Sequence, residues 1–189
     1  ANQLEKERVA AEFKALANQV NPHFLFNSLT VLYALAVKGA TQTADAILKL
    51  SDILRYVIYQ SSAQTVELRQ ELEILKDFID LQRYRVQQAV QIDFIESLSN
   101  EETHVAPMLM LPLLENSFKH GISVNATQGF VRASAIEENG IFEFKIVNNK
   151  SDSPAIPGGF GLQNLRQRLQ LAYPDRHKLE VSETATTFA

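Results

Sequence analysis

The sequence predicts an α+β chain in two parts: a two-helix hairpin over residues 1–62, then helices layered on a mainly antiparallel sheet over residues 63–189. Three observations carry that expectation. Apolar residues recur at helical spacing from Val9 to Ile58; alternating apolar and polar runs appear only from Val90 onward; and Glu138-Asn139-Gly140, between two such runs, is a hairpin signal. With 189 residues, 46% hydrophobic and 21% charged, the chain is long enough for one globular domain and a smaller helical appendage.

Val9, Phe13, Leu16, Val20, Phe24, Val31 and Leu35 mark one side of a long first helix that ends near Gly39, and Ala44, Ile47, Leu48, Leu50, Leu54, Val57 and Ile58 mark a second. One hairpin has more apolar face here than it can bury on itself. A four-helix bundle built by two chains is the simplest cover, so a homodimer is expected. Ser61-Ser62-Ala63-Gln64-Thr65, short and polar between periodic segments, reads as the linker. A third helix follows over Leu68 to Arg85, with Leu68, Leu72, Leu75, Ile79 and Gln82 on one face. Val90 to Phe94 alternates like a half-buried strand, Pro112 to His120 reads as a helix, and Phe130 to Ile136 and Ile141 to Val147 read as two more strands. Ser151 to Gly158 is loop by composition, Leu162 to Tyr173 a helix, and Lys178 to Ser182 is expected to begin another strand.

Composition narrows the function. A net charge of -4 argues against a nucleic-acid-binding surface, which carries a basic patch or stripe. Without cysteine there is no disulfide framework, thiolate zinc site or cysteine nucleophile, which suits a reducing compartment. Ala1 to Arg8 is charged and helix-prone, with neither the apolar core nor the cleavage site of a signal peptide. The longest apolar run, Val105 to Leu114, is about half the ~20 residues a membrane span needs and contains two prolines, so it is expected in a core.

Two stretches are candidates for chemistry. In Gln19-Val20-Asn21-Pro22-His23-Phe24-Leu25-Phe26-Asn27 a proline precedes a histidine inside a helical pattern. Either Pro22 kinks the helix at a cost of roughly 3 kcal/mol, or Asn21 caps a helix that restarts at Pro22. Gln19, His23 and Asn27 lie at spacings of four on one face, where two neutral amides can orient an imidazole without charging it. The second stretch is Gly158-Gly159-Phe160-Gly161, glycines opening a helix whose free N–H groups favour an anion. A P-loop pattern is absent.

Asn21-Pro22-His23-Phe24-Leu25-Phe26-Asn27 resembles the phosphoacceptor motif of the LytS-type sensor histidine kinases. Leu114-Glu115-Asn116-Ser117-Phe118-Lys119-His120-Gly121 resembles the N box of the GHKL ATPases, and Gly159-Phe160-Gly161-Leu162-Gln163-Asn164-Leu165-Arg166 their G box. The three matches occur in order and cover nearly the whole chain. The resemblance implies a phosphotransfer hairpin over 1–62 and a Bergerat-fold ATP-binding domain over 63–189, a helical layer on a mixed sheet whose closing strands would run past Ala189. His23 would take the phosphoryl group of ATP and pass it to an aspartate of a response regulator. The protein would be the cytoplasmic part of a sensor anchored in the bacterial inner membrane by upstream segments.

The resemblance also assigns parts. Asn116 would be the magnesium ligand, its amide oxygen suiting a hard cation; taken alone it would equally be a capping or exposed asparagine. Lys119 and His120 would reach phosphate oxygens, or else decorate the surface. Glu115 would be a base or orient the imidazole, a role made open by Phe24, which stands where many such kinases have an acidic residue after the histidine. Gly159, Gly161, Leu162, Asn164 and Arg166 would form the phosphate-side wall and hinge of an ATP lid stiffened by Pro154 and Pro157. The chain departs from the pattern at Asn148 and Lys150, where most GHKL proteins have Asp-x-Gly and the aspartate accepts from the adenine amino group. An amide oxygen accepts the same bond more weakly, by an amount that would cost ATP about tenfold in affinity. Two alternatives stand beside a dimeric kinase using Mg-ATP: a signalling module insensitive to nucleotide, and a GHKL ATPase acting on another substrate, for which His23 would be expendable.

Overall fold

The computed structural model of the chain describes residues 22–60, 63–86, 90–121, 129–150 and 160–189. The chain divides into two compact units, 1–62 and 63–189. In the first, helix α1 (Pro22–Val37) packs on α2 (Thr43–Tyr59). Gly39, at φ +61°, turns the chain out of α1, and the Ala40 N–H reaches back to the Leu35 carbonyl at 3.0 Å. Such a left-handed stop favours glycine, because a Cβ would be strained there. Phe24, Ser28 and Val31 of α1 are buried, as are Ala46, Leu50, Ile53, Tyr56 and Val57 of α2. Phe26, Tyr33, Val37, Leu48 and Tyr59 are left more than 60% exposed. The expectations on Gln19 and on a kink before Pro22 lie outside the described residues.

The second unit opens with β1 (Val66–Glu67), which runs directly into α3 (Leu68–Arg85). β1 pairs antiparallel with β3 (His104–Val105), and the Leu68 N–H extends that join by donating to the Thr103 carbonyl at 2.7 Å. α3 buries Leu68, Leu72, Leu75, Phe78, Ile79 and Gln82, the expected stripe, and ends where Val86 turns extended at ψ 155°.

The main sheet has the order β2-β4-β5-β6, from β2 (Val90–Leu98), β4 (Gly129–Glu138), β5 (Ile141–Asn149) and β6 (Thr187–Phe188). β2 and β4 are parallel and the other pairs antiparallel, so the sheet is mixed. Val131, Ala133, Ala135 and Glu137 of β4 alternate inward. Helix α4 (Leu111–Gly121) packs on β4 and β5 and meets α3 through Phe118, whose ring stands edge-on to Phe78 at 5.8 Å. Helix α5 (Phe160–Ala172) packs on α4. The β4–β5 hairpin turns through Asn139 at φ 55° and Gly140 at φ 75°, the left-handed pair that Asn-Gly favours.

Glu137 anchors that hairpin to the end of β2. Its Oε2 accepts from the Ser99 hydroxyl at 2.8 Å and from the Asn100 and Ser99 N–H groups at 2.8 and 3.1 Å; its Oε1 accepts from the Gly140 N–H at 3.3 Å. The Ser99 hydroxyl, then the Asn100 N–H, hold its carboxyl below the usual carboxylate range.

One expected element is absent. Lys178 to Ser182 is not a strand; the residues that pair with the end of β5, at Asn148 and Asn149, are Thr187–Phe188 instead. The segment meets the chain end only through reciprocal Ser182 and Ala189 bonds, at 2.8 and 2.9 Å, and a Glu183–Phe188 bridge. Lys178 and Glu180 pair with each other in solvent.

Candidate functional site

Helix α4 turns Leu111, Leu114, Ser117 and Phe118 into the core. Glu115 and Asn116 are half-buried at the margin of that face, and Lys119 is exposed. The Ser117 hydroxyl bonds back to the Leu113 carbonyl at 3.1 Å and so stays within the helix. The side chain of His120 is outside what is described, as are Gly158 and Gly159; Gly161 is helical. In α5, Leu162 is half-buried while Asn164 and Arg166 are exposed.

Asn148 lies on β5 opposite Val131, so it shares the sheet face that α4 covers. It is 3% exposed. Its Nδ2 donates to the Asn149 carbonyl at 2.9 Å, which fixes the amide plane, and among the described residues its Oδ1 has no hydrogen-bond partner. An amide oxygen on a side chain so oriented can accept from a donor arriving from outside the chain. Asn149 has a different task, accepting at Oδ1 from the Phe130 N–H at 2.8 Å where β4 begins. Lys150 pairs with Glu183, and its N–H donates to the Thr186 carbonyl at 2.8 Å.

The structure therefore brings Glu115, Asn116 and Asn148 onto contacting elements of one unit, with α5 against α4. His23 belongs to the other unit; its backbone is helical within α1, and its side chain is outside what is described. Asn27, one turn further along α1, is half-buried. The donor set on α4, one carboxamide beside one carboxylate, fits a magnesium ion, which keeps several waters and takes phosphate oxygens without a full protein cage.

Sequence reading missed the residues that brace α4. Ala106 donates its N–H to the Tyr173 hydroxyl at 2.6 Å, Met108 donates to Glu71 Oε1 at 2.7 Å, and Arg168 donates to the Pro107 and Met108 carbonyls at 2.7 and 3.3 Å. Ala106, Leu109 and Leu165 form a small core against Leu113, Leu169 and Tyr173. A signal existed for Glu71, an acid within the apolar stripe of α3.

Known proteins show what the chain is similar to. A family profile described as histidine kinase matches residues 11–90, the region containing His23. Three relatives extend the likeness along the chain. The sensor histidine kinase YpdA of Escherichia coli K12 is 28% identical over 100% of this chain and 35% of its own length. The sensor histidine kinase BtsS of the same organism is 26% identical over 96% of this chain and 33% of its own. The sensor protein LytS of Oceanobacillus iheyensis is 22% identical over 97% of this chain and 34% of its own. The chain is thus similar to sensor histidine kinases, LytS among them. It spans about a third of the length of the curated relatives it matches. Among the described residues no helix is long and apolar enough to cross a membrane.

Proposed function

We propose that the chain is the kinase core of a two-component sensor, in which residues 63–189 bind Mg-ATP in a Bergerat-type domain and residues 1–62 form a dimeric hairpin carrying the acceptor, His23. The observation that carries this reading is Asn148: a mostly buried side chain held in one orientation by its bond to the Asn149 carbonyl, on the sheet face covered by the helix that resembles an N box. That oxygen would accept from the adenine amino group. Asn116 would hold magnesium, which supplies charge neutralisation at the phosphates, and Glu115 beside it would act as base or orient the imidazole. Lys119 and His120 would meet phosphate oxygens from the last turn of α4, and the segment from Gly159 through Leu162, Asn164 and Arg166 would close the phosphate side.

In the proposed reaction a ring nitrogen of His23 donates its lone pair to the γ-phosphorus. An N–P bond forms, the bond from that phosphorus to the β–γ bridging oxygen breaks, ADP leaves, and the phosphorylated imidazolium gives up the proton of its other ring nitrogen to Glu115 or to water. Gln19 and Asn27 would hold the ring. Phosphoryl transfer depends chiefly on positioning and charge neutralisation, which suits a site of amides, glycines and cations. A response-regulator aspartate would then take the phosphoryl group. The ion pair of Lys150 with Glu183 favours this reading over a nucleotide-insensitive module, because it directs the lysine into the closing turn and away from the purine position.

Incubation with γ-labelled ATP and magnesium tests the proposal. Wild type is expected to acquire an acid-labile, alkali-stable label, and His23→Gln none, with ATP binding held within about twofold. A label that persists in His23→Gln, or that survives acid, refutes the assignment.

A further inference from the structure

The turn that leads into α4 is gripped from two sides. Met108 has φ +59°, a conformation that an L side chain adopts only when its surroundings impose it. The peptide group joining Pro107 to Met108 supplies both contacts: its N–H goes to Glu71 of α3, and its carbonyl accepts from Nη2 of Arg168 on α5. A second guanidinium nitrogen takes the Met108 carbonyl. Glu71 is 2% exposed and Arg168 half-buried, so these charged hydrogen bonds work in a poorly solvated place where they are strong. Two residues later the Met110 carbonyl receives the Leu113 and Leu114 N–H groups, each at 3.0 Å, and α4 begins. Asn116 lies six residues beyond Met110, roughly 9 Å along a continuous helix.

We propose that Arg168 is a positioning residue: by clamping the Pro107-Met108 turn against Glu71, it fixes the placement of α4 and hence of Asn116 for magnesium-bound ATP. The role rests on the reading of α4 as the nucleotide helix. A guanidinium is needed because its fork spans two successive carbonyls at once, which an ammonium does not. The leucines around it, Leu165 and Leu169, pack on Ala106, Leu109 and Leu113, so α5 and the turn move as one body. Through Arg168 the helix behind the glycine-rich segment thereby sets the helix that would carry the metal ligand.

The test compares wild type with Arg168→Met, Arg168→Lys and Glu71→Gln in the full chain. Amide hydrogen exchange without nucleotide reads the clamp. Arg168→Met should exchange Met108 to Leu114 roughly tenfold to a hundredfold faster, the range for a lost charged hydrogen bond, while α3 and β4 stay within about twofold. Arg168→Lys should fall between, and so should Glu71→Gln, which keeps an acceptor for Met108 but loses its charge. ATP titration with and without magnesium reads the consequence. In Arg168→Met the tightening that magnesium brings should largely vanish, with magnesium-free affinity unchanged. A purely structural role would weaken both alike. Should Arg168→Met unfold, Arg168→Lys is read by the same two measurements. Unchanged exchange at Met108 to Leu114, or faster exchange with the magnesium effect intact, overturns the proposal. A wild type whose ATP binding ignores magnesium overturns the nucleotide reading of α4 instead, and the positioning role falls with it even if the exchange result shows the clamp.

Discussion

Replacing Asn148 by aspartate separates the two hydrogen-bonding sides of one buried amide. The Nδ2 side donates to the Asn149 carbonyl at 2.9 Å; in Asn148→Asp that position becomes an oxygen facing an oxygen. The fold loses a hydrogen bond and leaves the Asn149 carbonyl without its donor, a cost of about 1–3 kcal/mol, or roughly 5 to 10 °C in melting temperature for a unit of this size. Burial and the facing carbonyl raise the new carboxyl's pKa above its unfolded value, so the penalty is present at high pH and is relieved as pH falls through that raised pKa. The Oδ1 side gains. A charged acceptor for the adenine amino group is worth about 1 kcal/mol more than a neutral one, so ATP and ADP should bind up to about tenfold more tightly at pH 8, with the advantage fading as the carboxyl protonates. GTP presents a carbonyl at that edge and should not gain. Thermal melts across pH, with calorimetric titration of ATP, ADP and GTP, measure both sides independently. Parallel gains for ATP and GTP, or none for either, refute the purine contact; an unchanged melting temperature refutes the bond to Asn149.

Two other expectations concern assembly and acid stability. Phe26 and Tyr33, 69% and 72% exposed on α1, are expected to be covered by a second copy of the hairpin, so wild type should sediment as a dimer at micromolar concentration. The double variant Phe26→Asp, Tyr33→Asp should weaken that dimer at least about a hundredfold at unchanged helicity, since each buried aromatic side chain contributes about 1.5–3 kcal/mol; a monomeric wild type refutes the bundle. Glu137, whose folded pKa is depressed, should contribute stability above the unfolded carboxyl value of about 4.3 and lose it as pH falls through the folded pKa. Urea unfolding should therefore show a gap between wild type and Glu137→Gln that is constant near neutrality and closes in acid; a gap unchanged down to pH 2 contradicts the clamp on Ser99 and Asn100.

Elements with a local period or a local turn rule could be read from the residues. Leu68 to Arg85 is the clearest, because its stripe repeats over five turns and nothing competes for it. Asn139-Gly140 placed the hairpin because few other residue pairs accept two left-handed conformations in succession. β1 and β3 were illegible, since strands of two residues have no period. Lys178 to Ser182 misled for a related reason: alternation reports which side chains could face a core, but a strand also needs ladder partners, and the segment that pairs with the end of β5 is Thr187–Phe188. The bracing of α4 was hidden because Glu71, Met108 and Arg168 are far apart in the chain and meet through backbone carbonyls and an N–H, groups every residue carries.

The departure from the Asp-x-Gly pattern divides into two parts with different consequences. Glycine is required where the backbone turns through positive φ or where something must approach it closely. Neither condition is seen at Lys150: its φ is not among the left-handed ones of the described residues, and its N–H continues the β5 pairing by one further bond, to Thr186. Its side chain pairs with Glu183 in the turn that closes β6 on β5. The lysine thus belongs to the sheet edge, and its substitution for glycine leaves the purine position untouched. The chemically consequential change is confined to Asn148, where an acceptor is kept and a charge removed. On the proposed reading, that single change weakens ATP binding while keeping its selectivity for adenine, because the amide oxygen still accepts from the amino group and only the charge is lost.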